Sequence, residues 1–449
     1  MIQEFWSEQN LLAHADQNIF IQADSFSYRD LNNAANKLIT EYELSHCTND
    51  IVFIQMGYDL SSIASYIACL RSKVVPLLLP SNIHKELLEQ LSKIYEPKYI
   101  FSNRNVTKRE KFSNKSSEHS VNSQLRLLLS TSGSTGSPKL VRLSEKNIVS
   151  NTTSIIEYLN ITKKEVLLCS MPLSYSYGLS LLNTHLSVGS AMHLVDISPL
   201  NKDYYEYLET HKVTSIHGVP FFFQILFRTG FLDRENKSIR TITQAGGKLS
   251  EKLAEKFNVF AQKNNIDFFV MYGQTEASPR ISYVPPHSLS THLNSIGIAI
   301  PGGELSLSND DELIYKGPNV MMGYAEERED LSLGDINNGI LNTGDLGYEK
   351  DGFFYITGRK KRFVKIAGSR YSLDQIELRL EESLNIEALA IGNDSKIYIK
   401  YSSKEDEDKN IFNIVHSEFL LNKTFIDVEK INKIPYKANG KKDHLAIKV

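Results

Sequence analysis

The sequence predicts an α/β protein: a large N-terminal domain of βαβ-type sheets covered by helices, a small β subdomain, and a small α+β C-terminal domain. Three observations carry this. At 449 residues the chain exceeds what one hydrophobic core usually holds, so two or three domains are expected. Strand-like and helix-like segments alternate through residues 1–102 and again through 125–270, the rhythm of a largely parallel sheet covered by helices. From residue 296 the strands shorten and glycines become frequent, after which residues 361–449 begin afresh with a helix followed by strands. The expected domains are 1–360 and 361–449.

In chain order, residues 50–56 read as a strand, 60–71 as a helix and 74–79 as a strand. Ser81 is a plausible N-cap for a helix with Ile83, Leu87, Leu88, Leu91 and Ile94 on one face, closed by Pro97. Residues 98–101 return to a strand. The polar, unpatterned stretch 103–124 reads as an exposed loop. The apolar run 125–129 is a buried strand, 146–158 a helix, and 166–170, 213–217, 241–244 and 267–270 further strands. A helix over 251–264 precedes the last of these. The β subdomain would hold strands at 304–307, 312–316 and 353–356. Ser372 with Gln375 forms a capping box for a helix over 373–383, followed by strands at 388–392 and 396–401 and an acidic loop at 404–408.

Composition excludes some classes of function. A net charge of −3, with 41% hydrophobic and 23% charged residues, gives no global case for nucleic-acid or membrane binding. Cys47, Cys69 and Cys169 are far apart and lack metal-ligand spacing, so they read as reduced thiols. The first residues show neither a basic nor an apolar leader region, and a cytoplasmic location is expected.

The chemistry starts after the 125–129 strand. Thr131, Ser132, Gly133, Ser134, Thr135 and Gly136 are small residues that can bring backbone N–H groups and hydroxyls onto an anion, and Lys139 adds a mobile positive charge. A flexible Ser/Gly linker is the plain alternative, but linkers rarely lie directly between apolar strands. The loop is not a Walker A motif, because no Gly-Lys-Ser/Thr follows. Further on, Gly246 and Gly247 follow a strand, where they fit a tight turn or a flat ring lying against backbone. Thr275 and Glu276 set a hydroxyl and an acid side by side at the end of another strand, where α/β sheets place ligands.

Together these stretches resemble the adenylate-forming superfamily of acyl-CoA synthetases, peptide-synthetase adenylation domains and luciferases. The resemblance runs from about residue 125 to residue 443. It rests on the loop 131–139, Tyr272 to Glu276, Thr343-Gly344-Asp345, Gly358-Arg359 with Lys365, Gly368 and Arg370, and Pro435 to Lys441. It implies that loop 131–139 holds the outer phosphates of ATP, and that the adenine lies between Gly246-Gly247 and Tyr272, in a nucleotide site with Lys248, Gly273 and Gln274. Asp345 would accept the ribose hydroxyls, with Arg359 reaching ribose or phosphate. Thr275 would contact the α-phosphate, Glu276 would ligate magnesium, and Lys441 would bridge the attacking carboxylate and the α-phosphate. Lys361 would be the hinge of a mobile C-terminal domain and Gly368 would line a phosphopantetheine channel. Tyr175, Tyr177, His217, Gly218, Gln244 and Pro279 would line the acid pocket.

Three departures qualify this. Leu140 replaces a usual glycine, Tyr175 a histidine common in acyl-CoA synthetases, and Gly178 the aspartate with which amino-acid-activating members hold the α-ammonium group. An α-amino acid is therefore not the expected substrate. The resemblance implies an ATP- and magnesium-dependent ligase that makes an acyl adenylate from a small carboxylic acid. The acyl group would then pass to CoA or to a phosphopantetheine-bearing carrier protein acting in trans. An adenylate former with an amine or hydroxyl acceptor, an amino-acid-adenylating ligase and a catalytically degenerate nucleotide-binding homologue are the alternatives.

Overall fold

A computed structural model describes residues 4–103, 105–109, 120–130, 139–235, 237–366, 369–393, 395–436, 442–444 and 446–447. Two mixed sheets dominate. In the first, six strands run parallel in the order Asp267–Gly273, Thr241–Gln244, Ser215–Gly218, Val166–Cys169, Ala191–Leu194 and Asn18–Ile21, with antiparallel strands at both edges. In the second, Leu125–Ser130, Val75–Pro80, Ile51–Met56 and Tyr99–Ser102 are parallel, again flanked by antiparallel edges. Their central strands are almost continuously apolar and buried, as strands covered on both faces must be.

The helix Leu60–Arg71 is capped by Asp59, whose carboxylate accepts from the Ser62 N–H, and nine of its twelve residues are buried between layers. The helix Glu145–Leu159 opens on a reciprocal capping box between Ser144 and Asn147. Asn147 also donates to the carbonyls of Pro318 and Val320, which ties this helix to the β subdomain. That subdomain is a four-stranded antiparallel sheet of Glu304–Leu307, Glu312–Lys316, Ile340–Lys350 and Phe353–Arg359. Toward the carboxy terminus, the helix Leu373–Leu384 packs Ile376 and Leu380 on a three-stranded sheet, forming a hydrophobic cluster of its own with Ala388, Ile397, Ile399 and Tyr401.

The structure corrects two local readings. The helix expected to start at Ser81 begins at Lys85 with His84 at the N-cap, because the Ile83 N–H bonds back to the Pro80 carbonyl and holds Ser81 and Asn82 in a turn. Within the expected loop 103–124, Asn105–Lys108 forms a strand against Tyr99–Ser102. An exposed edge strand needs only backbone pairing, so its polar sequence hides it. Asn18–Ile21 also went unread as a strand. It joins the first sheet beside Ala191–Leu194, a pairing that no local pattern announces.

Candidate active site

The ends of both sheets, the β subdomain and the C-terminal unit enclose one cleft of about 3920 Å³. Roughly 300–1,000 Å³ suffices for one small ligand, so there is room for a nucleotide and an acid side by side.

One wall is built on the strands Asp267–Gly273 and Ile340–Lys350. The Tyr272 hydroxyl donates to Asp345 Oδ2 at 2.5 Å, and Arg359 Nε lies 3.4 Å from Asp345 Oδ1. Burial, reinforced by the adjacent Asp345 charge, drives the Tyr272 phenol far above its ordinary range, so it stays a donor. Asp345 sits where the strand Ile340–Lys350 shifts register against Glu312–Lys316: Thr343 Oγ1 accepts from its N–H and donates to the Leu313 carbonyl, while Glu312 accepts from the Gly344 N–H and pairs with Lys360. Gly344 has φ +75°, a conformation glycine adopts without strain. Gln274 donates to the Thr343 carbonyl at 3.4 Å, and Gly273 packs so closely that a Cβ there would stand 1.9 Å from the Pro279 carbonyl oxygen.

Thr275 and Glu276 follow in a single 3-10 turn. Thr275 Oγ1 shares a 3.1 Å hydrogen bond with Ser176, and Tyr324 donates to Glu276 Oε1 at 2.7 Å. Lys139 Nζ pairs with Glu326 at 2.6 Å and stands 5.7 Å from the centre of the Tyr324 ring. Among the described residues no cluster of three acidic, histidine or cysteine side chains could cage a metal. A lone, oriented carboxylate fits magnesium, which keeps most of its shell as water and phosphate oxygens.

Gly246 and Gly247 connect this wall to the next. Gly246 has φ +85°, and a Cβ on it would meet the Tyr175 hydroxyl at 2.9 Å and Val219 at 3.1 Å; one on Gly247 would meet Pro220 at 3.2 Å. Lys248 also lines the cleft, where burial lowers its pKa against the opposing pull of the Glu382 and Glu251 carboxylates.

The second wall holds Tyr175, Tyr177, Gln244, Pro279 and a residue that motif reading missed, Arg280. The Tyr177 hydroxyl sits 2.7 Å from Thr243 Oγ1, and His217 Nδ1 lies 2.6 Å from that same oxygen. His217 thus stands behind Thr243, which itself stands behind Tyr177 at the cleft surface. Gly218 too lies outside the lining, its α-carbon covered by Phe222. Burial, with His185 and Arg280 adding to it, holds the His217 imidazole well below its usual pKa, so it is neutral at neutral pH. His217 Nε2, Gln244 Oε1 and Arg280 Nε are buried with no partner among the described residues. The remaining amide of Gln244 donates to the Gly247 carbonyl at 2.8 Å. A lone arginine in the otherwise apolar and small-residue run after Pro279 was the available sequence signal for Arg280. Tyr324, Ser176 and Thr243 lie far along the chain from the groups they orient and gave none.

Arg362 pairs with Asp374 and Glu377, and Lys442 with Glu377 and Glu381, while the imidazole of His444 also reaches Glu377. Burial alone would raise the Glu377 pKa, but His444, Lys442 and Arg362 together bring it down to about 2. Thr131, Ser132, Gly133, Ser134, Thr135, Gly136, Gly368 and Lys441 lie outside the described residues, and Lys361 is described in its backbone only.

The profile of the AMP-binding enzyme family matches residues 8–325, and the chain belongs to that family. Over 325 residues it is 26% identical to a 2-succinylbenzoate–CoA ligase of Listeria monocytogenes, covering 70% of this chain and 68% of the relative. Over 278 residues it is 27% identical to an indoleacetate–CoA ligase of Aromatoleum aromaticum, covering 59% and 53%. Among solved structures, o-succinylbenzoate CoA synthetase from Bacillus subtilis, in complex with an acyl-adenylate intermediate, superposes with a TM-score of 0.79 at 22% identity, covering 98% of this chain and 97% of that one. The fold class is the one expected. No helix among the described residues is long and apolar enough to cross a membrane.

Proposed function

We propose that this member of the AMP-binding enzyme family is an ATP-dependent, AMP-forming acid–thiol ligase. The observation that carries the reading is the common wall that presents the Asp345 carboxylate, Thr275 and Glu276 toward one cleft, with a second, aromatic wall beside it. Asp345 has the two acceptor oxygens that vicinal ribose hydroxyls require. Gly246 and Gly247 leave a surface without side chains, on which an adenine can lie. Glu276 would hold magnesium, which supplies charge neutralisation at the phosphates.

In the first step a carboxylate oxygen attacks the α-phosphorus, the bond to the bridging β-phosphate oxygen breaks, and pyrophosphate leaves. The amine of Lys441 would neutralise the charge that builds at the α-phosphate. In the second step a thiolate attacks the acyl carbon and AMP departs with the bonding electron pair. CoA is the favoured thiol, since the curated relatives named above are CoA ligases. A separate phosphopantetheine-bearing carrier protein is the other source of the same thiol.

Gly178 supports excluding α-amino acids. A Cβ at this position would stand 2.3 Å from the Pro172 carbonyl oxygen, so no aspartate can be accommodated there to hold an α-ammonium group.

The test is acid-dependent exchange of pyrophosphate into ATP, in the wild type and in Lys441→Ala, followed by thioester formation with CoA and with a loaded carrier. Exchange that needs an acid and drops by about 100-fold or more in the variant is the expected result. ATP binding with no exchange for any acid, amino acids included, would sink the reading.

A further inference from the structure

Arg280 begins the edge-side strand Arg280–Val284, immediately after the turn that carries Thr275 and Glu276. It is 2% exposed, yet it is among the residues that line the cleft. A guanidinium keeps its charge at any pH a protein survives and offers five N–H donors. Such a group is ordinarily buried only against a carboxylate. Here no carboxylate among the described residues pairs with it, and Nε has no acceptor. Its plane lies over the Tyr177 ring, with the guanidinium carbon 4.1 Å from the centroid. The Tyr158 hydroxyl is a hydrogen-bond partner of the guanidinium, and Tyr175 and His217 also feel its charge. Both tyrosines are kept protonated by burial and His217 is held neutral, so among the described residues no anion in this corner of the cleft offsets the cation.

The position is also built to stay put. Asn319 donates to the Arg280 carbonyl at 2.8 Å, and Asn151 brackets the same peptide, donating to the carbonyl at 3.2 Å and accepting from the N–H at 3.4 Å. A second donor lies one layer behind. If Thr243 gives its hydroxyl proton to His217 Nδ1 while receiving that of Tyr177, the neutral imidazole carries its proton on Nε2, the atom that is buried without a partner.

We infer that Arg280 reads a second carboxylate on the substrate, so that the preferred acid is a dicarboxylic acid activated at one end and anchored at the other. This rests on the acid-activating reading above. The reacting carboxyl group belongs beside Thr275 and the α-phosphate. Arg280, on the aromatic wall, is left for the far end of the same molecule. A monocarboxylic acid of equal length would bury a methyl or ring edge against an unpaired guanidinium, which costs more than the apolar contact returns.

The experiment uses the full chain and matched pairs of acids: hexanoate with adipate, octanoate with suberate, and phenylpropionate with its para-carboxy derivative. In pyrophosphate exchange the wild type is expected to favour each diacid in kcat/KM by on the order of 100-fold. Arg280→Gln should erase or invert that ratio while leaving the KM for ATP in place, and Arg280→Lys should retain part of it. Calorimetry without ATP gives a second readout, with suberate binding the wild type and not Arg280→Gln. A wild type that prefers the monoacids, or an Arg280→Gln variant that loses both members of each pair equally, overturns the assignment. The second of these would make Arg280 a support for the reacting carboxylate or for the fold. Should Arg280→Gln fail to fold, the wild-type ratio and Arg280→Lys still decide. Absence of exchange with every acid in the wild type is a different failure, that of acid activation itself, and it takes this assignment down with it.

Discussion

On the nucleotide wall the charged side chains already have company. Asp345 takes Tyr272 and Arg359, Glu276 takes Tyr324, and Lys139 takes Glu326. On the acid wall, Arg280 Nε, Gln244 Oε1 and His217 Nε2 are buried with no partner among the described residues. The difference is one of exposure. Arg359, Lys139 and Glu326 keep 61%, 45% and 50% of their side-chain surface in solvent, so they can exchange partners for ATP at little cost. The partnerless atoms of the acid wall are themselves shielded from solvent. A ligand that completes it gains more per contact, and one that fails to do so loses more. On the proposed reading, selectivity for the nucleotide lies in shape and in a few exchangeable pairs, and selectivity for the acid in unmet hydrogen bonds.

The largest change is expected outside both walls, where it sets the scale for effects that come from folding alone. Glu377→Gln leaves Arg362 and Lys442 without their shared buried carboxylate, and about 3–5 kcal/mol of stability should disappear from the C-terminal unit, read by urea unfolding. The same residue gives a pH signature. Its folded pKa, about 2, lies below the ordinary carboxylate value of 4.5, so its contribution is complete above 4.5 and fades as pH falls from about 4.5 toward about 2. Unfolding at pH 3 should thus distinguish wild type from variant less than unfolding at pH 7; an unchanged difference would dismiss the network.

Asp345→Ala comes next. If Asp345 holds the ribose as proposed, the variant should raise the KM for ATP by about 100-fold, with the acid KM unmoved, because two charge-assisted hydrogen bonds are lost. If the acid KM rises equally, the two walls are not separable. Thr243→Val removes the hydroxyl between Tyr177 and His217 and should cost about 1–3 kcal/mol in thermal unfolding, with the acid KM raised and ATP binding kept. Tyr324→Phe is the smallest: a few-fold loss in kcat and a higher magnesium requirement, since the hydrogen bond it removes sits at a residue 36% exposed. A loss as large as that of Asp345→Ala would mean that Tyr324 touches the reacting groups.

Most of the sheet framework could be read directly, because fully buried parallel strands such as Ile51–Met56 and Leu125–Ser130 are nearly unbroken apolar runs. Strands held by distant partners could not. Asn18–Ile21 is fixed by Ala191–Leu194, and Asn105–Lys108 is a polar edge. The nucleotide wall was legible for a similar reason: Thr343 to Asp345 and Tyr272 to Glu276 are contiguous and bring their own backbone geometry. The acid wall was legible only in part. Tyr175, Tyr177 and Gln244 line the cleft, whereas His217 stands behind Thr243, since a short strand alternates its faces and one position decides which side chain meets the cleft. Tyr324 reaches Glu276 from a segment dozens of residues away, a contact that only the folded chain creates.

The clasp around Arg280 has a consequence for how such a pocket changes over generations. Asn151 and Asn319 grip only the peptide atoms at position 280 and are indifferent to the side chain mounted there. A new side chain can be installed without re-laying the strand or disturbing the neighbouring turn that carries Glu276. The arrangement works as a socket, and a lineage moving from one acid to another could exchange what is plugged into it while the catalytic parts beside it are inherited intact.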